Sequence, residues 1–459
     1  MTEDLPIACG TAMPIGWTLV NFEDICGSGQ YGWTSSASSE GTVKYLRTTD
    51  ITKGKISWDS VPYCKETPAD IEKYRVQKND ILISRAGSIG FSSLIDEIPT
   101  LTIFASYLIR FVPSEEVKPT YIAYFLKSPD YWRQIADFSS GIALANINAK
   151  KISKIKVPLP PLNEQRRIVE KLDRIFDRLR KVRDELSHIK KLIDRYRQAV
   201  LTAAFRGDLT ADWRENPMPS NWNFKKFRLV ADFKNGINFS KEKKGDKGIP
   251  TVDVLNMYSK GIYVDVRGLY NVDIDIKDDY ILKYGDILFV RSSVKKEGVG
   301  WTSLFPKTDK TVTFCGFIIR ARVNLCEVYP EFLTYFFRTD NSRRILIDSS
   351  HQVTIANINQ VSLSELDLLL PPLEEQKEIV RRVEERFAKI EKIEQEYQKA
   401  VKLCDRLEQE TLAKAFRGEL VPQDPNDEPA SVLLERIRAE QQSKTQAKTA
   451  KSKKRSGKK

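Results

Sequence analysis

Two short motifs occur twice in this chain, and both recur at the same distance. Pro160-Pro161-Leu162-Asn163-Glu164-Gln165 returns as Pro371-Pro372-Leu373-Glu374-Glu375-Gln376, and Phe205-Arg206-Gly207-Asp208-Leu209 returns as Phe416-Arg417-Gly418-Glu419-Leu420. Both offsets are 211 (371 − 160 and 416 − 205), so the stretch between the motifs has one length in both halves. Surface loops tolerate insertion cheaply and drift in length. A long helix whose packing register matters does not. The chain therefore reads as a tandem repeat, each half ending in a helix of fixed length.

Helical signals follow each Pro-Pro-Leu. Proline closes the preceding extended piece, and Asn163 or Glu374 opens the next with acids in its first turn. In the first copy Ile168, Leu172, Ile175, Leu179, Val182, Leu186, Ile189, Ile193 and Tyr196 alternate steps of four and three, an a/d heptad seam. The second seam is Ile379, Val383, Arg386, Ile390, Ile393, Tyr397, Ala400, Cys404 and Leu407, broken only at Arg386. Both helices are expected to stop at Arg-Gly. A helix of roughly 40 residues is about 60 Å long. A domain of about 160 residues has a radius of gyration near ~15 Å and cannot carry the chain back that far. The second helix should therefore run antiparallel to the first, with the two globular domains held apart by the pair as by a ruler.

The expected division is a globular domain at 1–159, helix 160–207, a second domain at 208–370, helix 371–418, and a C-terminal segment at 419–459. The globular halves match too. Pro14 and Trp17 correspond to Pro219 and Trp222, Asp80-Ile81-Leu82 to Asp286-Ile287-Leu288, and Gly90 to Gly300. Ala145-Asn146-Ile147-Asn148 corresponds to Ala356-Asn357-Ile358-Asn359. The growing offset places extra residues of the second copy between Arg291 and Gly300. Short β-rich runs with Gly, Asp and Ser turns, and helices opened by Pro119 and Pro330, make each half α+β.

Composition limits the function. No apolar run is long enough to span a bilayer, and the N-terminus lacks a secretory pattern. Six scattered cysteines without Cys-x-x-Cys spacing read as reduced thiols of a cytoplasmic protein. The net charge is +12, but 441–459 holds eight Lys and Arg and no acid, which leaves +4 for the rest. That tail reads as disordered and able to add salt-sensitive attraction to phosphate. The short helix "VLLERIRAE" before it is expected to pack on a partner or on the long helices, which the sequence leaves open. His188 and His351 have no neighbours in metal-ligand spacing, and no nucleotide-binding loop, nucleophile elbow or Asn/Asp-Pro-Pro-Tyr/Phe element occurs. The chain is read as lacking its own catalytic, metal or cofactor site.

The doubled "LPPLNEQRRIVEKLD…AFRGDLT" and "LPPLEEQKEIVRRVE…AFRGEL" segments, each after a variable domain, resemble the specificity subunit of Type I restriction–modification enzymes. The resemblance covers nearly the whole chain. It implies two target-recognition domains that read the halves of a split, asymmetric double-stranded DNA target across a fixed spacer set by the helices. It also implies two modification subunits that carry S-adenosylmethionine and methylate adenine, and restriction subunits that use ATP and Mg. Candidate DNA contacts in the first domain are Lys44, Arg47, Arg85, Ser88, Ser140, Asn146 and Lys150. In the second they are Arg291, Ser292, Lys295, Lys296, His351, Gln352 and Thr354. Arginine suits guanine, glutamine suits adenine, and lysine or serine suits phosphate. Two rival readings are a coiled-coil adaptor that binds only proteins, and the detached recognition portion of a fused restriction–methylation enzyme.

Overall fold

The computed structural model describes residues 13–52, 54–139, 146–215, 221–259, 261–293, 295–348, 351–352 and 356–456. They fall into two compact units: 1–185 with 400–459, and 186–399. Each unit thus takes its globular domain from one repeat and pieces of both long helices.

The two domains share one topology. In the first unit a sheet runs in the order Gln30–Tyr31, Leu108–Phe111, Ile81–Ser84, Ser92–Leu94, and the second unit repeats it as Ala231–Asn235, Ile318–Val323, Asp286–Val290, Thr302–Leu304. A second sheet, Ala37–Ser38, Tyr63–Cys64, Lys44–Leu46, Thr102–Phe104, returns as Lys244–Gly245, Tyr270–Val272, Ile249–Val252, Thr313–Phe314. The central strands Ile81–Ser84 and Asp286–Val290 are buried along their whole length, which accounts for their unbroken apolar runs. The repeated aspartate where each strand begins ties the entering turn. Asp80 accepts from the Gln77 N–H at 2.7 Å, and Asp286 accepts from the Lys283 N–H at 2.8 Å. The sheets of both units thus fit the α+β expectation.

The doubled motifs join helix to domain. Glu164 accepts a hydrogen bond from the Trp17 indole at 3.0 Å, and Glu375 accepts one from Trp222 at 3.0 Å. Gln165 accepts from the Lys118 N–H and donates to the Pro160 carbonyl, both at 3.0 Å. Gln376 does the same with the Tyr329 N–H (2.8 Å) and the Pro371 carbonyl (2.9 Å). At the other ends, Phe416 packs on Tyr121 and Phe125, and Phe205 on Phe332 and Phe336. The helix closing one repeat therefore docks on the domain of the other.

The long helices span Leu162–Arg206 (45 residues) and Leu373–Phe416 (44 residues). Past their ends Gly207 and Gly418 take positive φ, as glycine readily does. Segments of the two helices share each unit and run antiparallel. Arg183 pairs with Asp405 at 2.9 Å and Glu408 at 2.7 Å in the first unit, and Arg197 pairs with Glu394 at 2.9 Å in the second.

The seam differs from expectation. Ile168, Leu172, Leu179, Leu186, Ile193, Ile379, Val383 and Ile390 are buried, and Ile175 and Tyr397 are half-buried. Val182, Ile189, Tyr196, Ile393 and Leu407 are exposed. Near the domains both seam positions are covered. Elsewhere the neighbouring helix covers one position per heptad, and the alternate position is left open.

The C-terminal segment also differs. A helix runs from Ala430 to Ser456 instead of ending after "VLLERIRAE" in a disordered tail. Ala, Gln, Lys and Arg are good helix formers, and neither Gly nor Pro interrupts them before Gly457. Its start settles the docking question left open by sequence. Ala430, Leu433, Leu434 and Ile437 enter the core of the first unit, and Gln441 donates to the Asp24 carbonyl at 3.1 Å. Among the described residues no helix is long and apolar enough to cross a membrane.

Candidate nucleic-acid interface

Each central strand leads out of the sheet into a candidate arginine. In the first unit the Arg85 N–H donates to the Tyr107 carbonyl at 2.9 Å, and the Arg85 carbonyl accepts from Ile147 at 2.9 Å. In the second the Arg291 N–H donates to Phe317 at 2.7 Å, and its carbonyl accepts from Ile358 at 3.0 Å. The backbone thus brings the repeated "ANIN" segment and a hairpin turn to the same arginine twice. Asn146 and Asn357 stand where each "ANIN" pairs with the segment after that arginine, through the Ala86–Asn146 bridge and the Ser292–Asn357 pair.

The side chains then diverge. Arg85 donates Nε to Asn146 Oδ1 at 3.3 Å and lies over the Tyr31 ring, 4.8 Å from its centroid. Arg291 instead donates to the Gly316 carbonyl at 3.3 Å, and Ser292 hydrogen-bonds Asn357. The strand His351–Gln352 extends this second cluster into a three-stranded sheet. The extra residues of the second copy include the turn Lys296–Gly298. Arg343 fastens that turn through the Glu297 and Val299 carbonyls, the second at 2.8 Å, with its guanidinium over Trp301. Burial lowers the Arg343 pKa from its ordinary value, and lowers that of Arg338, on the same tryptophan, to about 10. Both arginines are spent on positioning.

Other candidates lie elsewhere or are already engaged. Lys44 donates to the Val61 carbonyl at 2.6 Å, and Arg47 forms a two-point pair with Asp50 at 2.9 and 3.0 Å. Ser88 sits half-buried in the turn after Arg85, while Lys150 and Lys295 are exposed. Ser140 and Thr354 lie outside the described residues. Sequence reasoning did not single out Tyr31, whose ring Arg85 covers, or Tyr107 and Phe317, whose carbonyls accept from Arg85 and Arg291. Alignment of "ASYLIRF" with "CGFIIRA" at an offset of 210 (317 − 107) was the signal for the last two. Among the described residues no group of three or more His, Cys, Asp or Glu could hold a metal.

The family profile described as Type I restriction modification DNA specificity domain matches residues 14–190 and again 219–402. The Type I restriction enzyme StySPI specificity subunit of Salmonella potsdam is 30% identical over 411 residues, spanning 86% of this chain and 88% of that one. The EcoKI specificity subunit of Escherichia coli K12 is 30% identical over 412 residues, with the same coverage of 86% and 88%. Among solved structures, a chain from a study of assembly and conformational transition of the type I R-M system superposes with a TM-score of 0.70 at 19% identity. It covers 89% of this chain and 100% of its own length. The HsdS subunit from Thermoanaerobacter tengcongensis gives a TM-score of 0.50 at 20% identity, covering 90% and 99%. These two likenesses concern the fold.

Proposed function

The chain belongs to the Type I restriction–modification DNA specificity family, and from that premise we infer that it is the non-catalytic recognition subunit of such a complex. One observation carries the reading furthest: the same strand–arginine–hairpin assembly is built twice, with unequal loops around it. Two unlike readers suit two unlike half-sites. The loops around Arg85 and Asn146 read one half, and those around Arg291, Ser292 and the His351–Gln352 strand read the other. The two unbroken helices set the unread gap between them, as spacing does for other paired readers. Neither a protein-only adaptor nor a fragment of a fused enzyme is favoured by the family match.

The paired helices also suit two copies of one partner, which need two equivalent surfaces. The exposed apolar positions repeat at 211: Val182 with Ile393, Leu192 with Leu403, and Tyr196 with Leu407. We assign this doubled stripe to two modification subunits. They supply S-adenosylmethionine and methylate adenine, and restriction subunits supply ATP- and Mg-dependent cleavage in the cytoplasm.

Binding measurements test the reading. With its modification subunits, the chain should bind one bipartite duplex at least 10³-fold more tightly than scrambled DNA, within the usual specificity range. Affinity should fall steeply between 50 and 200 mM salt as counterions are released. Equal affinity for every sequence would contradict it.

A further inference from the structure

We propose that Tyr107 and Phe317 are the side chains with which the two domains stack against an unstacked base or base step of the bound duplex. The proposal rests on the DNA-recognition reading above and adds a contact common to both halves and independent of sequence. A single exposed aromatic is ordinary on a protein surface. This pair has more to it. Tyr107 is 62% exposed and Phe317 59%, at equivalent points of the repeat.

The backbone beneath them is built the same way twice. In the first unit Trp33 N–H donates to the Phe104 carbonyl (2.8 Å), Ser106 to Trp33 (2.8 Å), Gly32 to Leu108 (3.2 Å) and Leu108 to Ala105 (2.9 Å). In the second, Ile237 donates to Phe314 (3.0 Å), Gly316 to Ile237 (2.8 Å), Gly236 to Ile318 (2.9 Å) and Ile318 to Cys315 (3.0 Å). The approach is close enough to require glycine. A Cβ on Gly32 would lie 2.3 Å from the Ala105 carbonyl oxygen, and one on Gly236 would lie 2.0 Å from that of Cys315. Each turn, braced also by the arginine that bonds the aromatic's own carbonyl, holds its ring in solvent. A rigid ring has little entropy to lose on stacking.

Chemistry narrows the contact. Domains that read unequal half-sites should differ where they read and agree where the half-sites agree. Every duplex offers phosphate and the π-faces of its bases. The paired arginines suit the charge and the paired rings suit the faces. One ring is tyrosine and the other phenylalanine, so the shared task does not use a hydroxyl. Hydrogen-bond readout is thereby disfavoured and stacking favoured. Enzymes that modify a base extrude it from the stack, and apolar side chains wedge into opened steps.

The test uses the chain in complex with its modification subunits and a duplex carrying the motif mapped by methylation sequencing, with 2-aminopurine placed successively along each half. Tyr107→Ala should weaken binding by about tenfold to hundredfold, the range of one base–aromatic stack. It should remove the fluorescence increase in one half only, and Phe317→Ala should do so in the other. Tyr107→Phe should behave as wild type, and the recognised motif should stay the same. Alanine variants that bind within twofold of wild type, a changed half-sequence, or lost subunit assembly would each overturn the proposal. Failure of the wild-type complex itself to discriminate between sequences would instead remove the recognition reading on which it rests.

Discussion

Removing one heptad from the middle of each long helix, 186–192 and 397–403, should shorten the gap in the methylated motif by about three base pairs and leave both half-sequences unchanged. The deletions are equivalent at the offset of 211 (397 − 186), and each keeps the buried seam position in phase. Seven residues rise about 10.5 Å in a helix, and base pairs are spaced ~3.4 Å along the axis. The half-sequences depend on loops that the deletion leaves intact, around Arg85 and Arg291. Deleting the heptad from one helix only should abolish methylation, because the two helices, 45 and 44 residues long, would no longer match in length. Sequencing the methylated sites of a host strain reads all three outcomes. Altered half-sequences with an unaltered gap would contradict a ruler.

Arg214→Leu, which strips the ion partner from Glu375 at the start of the second long helix, should cost roughly 3–5 kcal/mol, because it leaves that carboxylate buried and unpaired in charge. Arg214 and Glu375 pair at 2.5 Å with side chains 9% and 2% exposed, and Glu375 also accepts from Thr210 and Trp222. Hydrogen exchange at 375–383 would report the loss as local opening.

The other repeat supplies the control. Glu164 takes the same tryptophan bond, but its equivalent of Arg214 is Pro425 (214 + 211), and its Oε1 has no hydrogen-bond partner among the described residues. Burial, opposed by the Trp17 bond and by Arg167, holds its pKa above the ordinary carboxylate range. A raised folded-state pKa makes the group's contribution fullest below the unfolded value and lost as pH rises through the folded one. Glu164→Gln should therefore cost nothing at neutral pH, and its advantage over wild type should shrink on acidification towards the ordinary glutamate pKa. A cost for Glu164→Gln as large as that for Arg214→Leu would show that the two carboxylates are equally well partnered.

Much of this was legible in the residues because the repeat reports it. A constant offset fixed the helices, and the doubled aspartates, asparagines and prolines fixed the matching of the domains. What escaped was set by tertiary packing. Heptad spacing places Val182 and Leu186 alike on the seam, and only the neighbouring element decides that one is covered and the other open. Leu433, Leu434 and Ile437 form an apolar face that could have met several surfaces, and Phe22–Cys26 is the helix they meet. Lys44 and Arg47 carry the right charge, but Val61 and Asp50 already hold them. Tyr107 and Phe317 drew no notice because an aromatic in a strand-rich run reads first as core.

The central claim is that this one polypeptide supplies two unlike readers at a fixed separation, and methylation mapping with and without its gene tests that most directly. One asymmetric bipartite motif, with a constant gap and a marked base in each half, should vanish on deletion and return on complementation. Loss of a palindrome, of a continuous motif, or of no motif at all would contradict it.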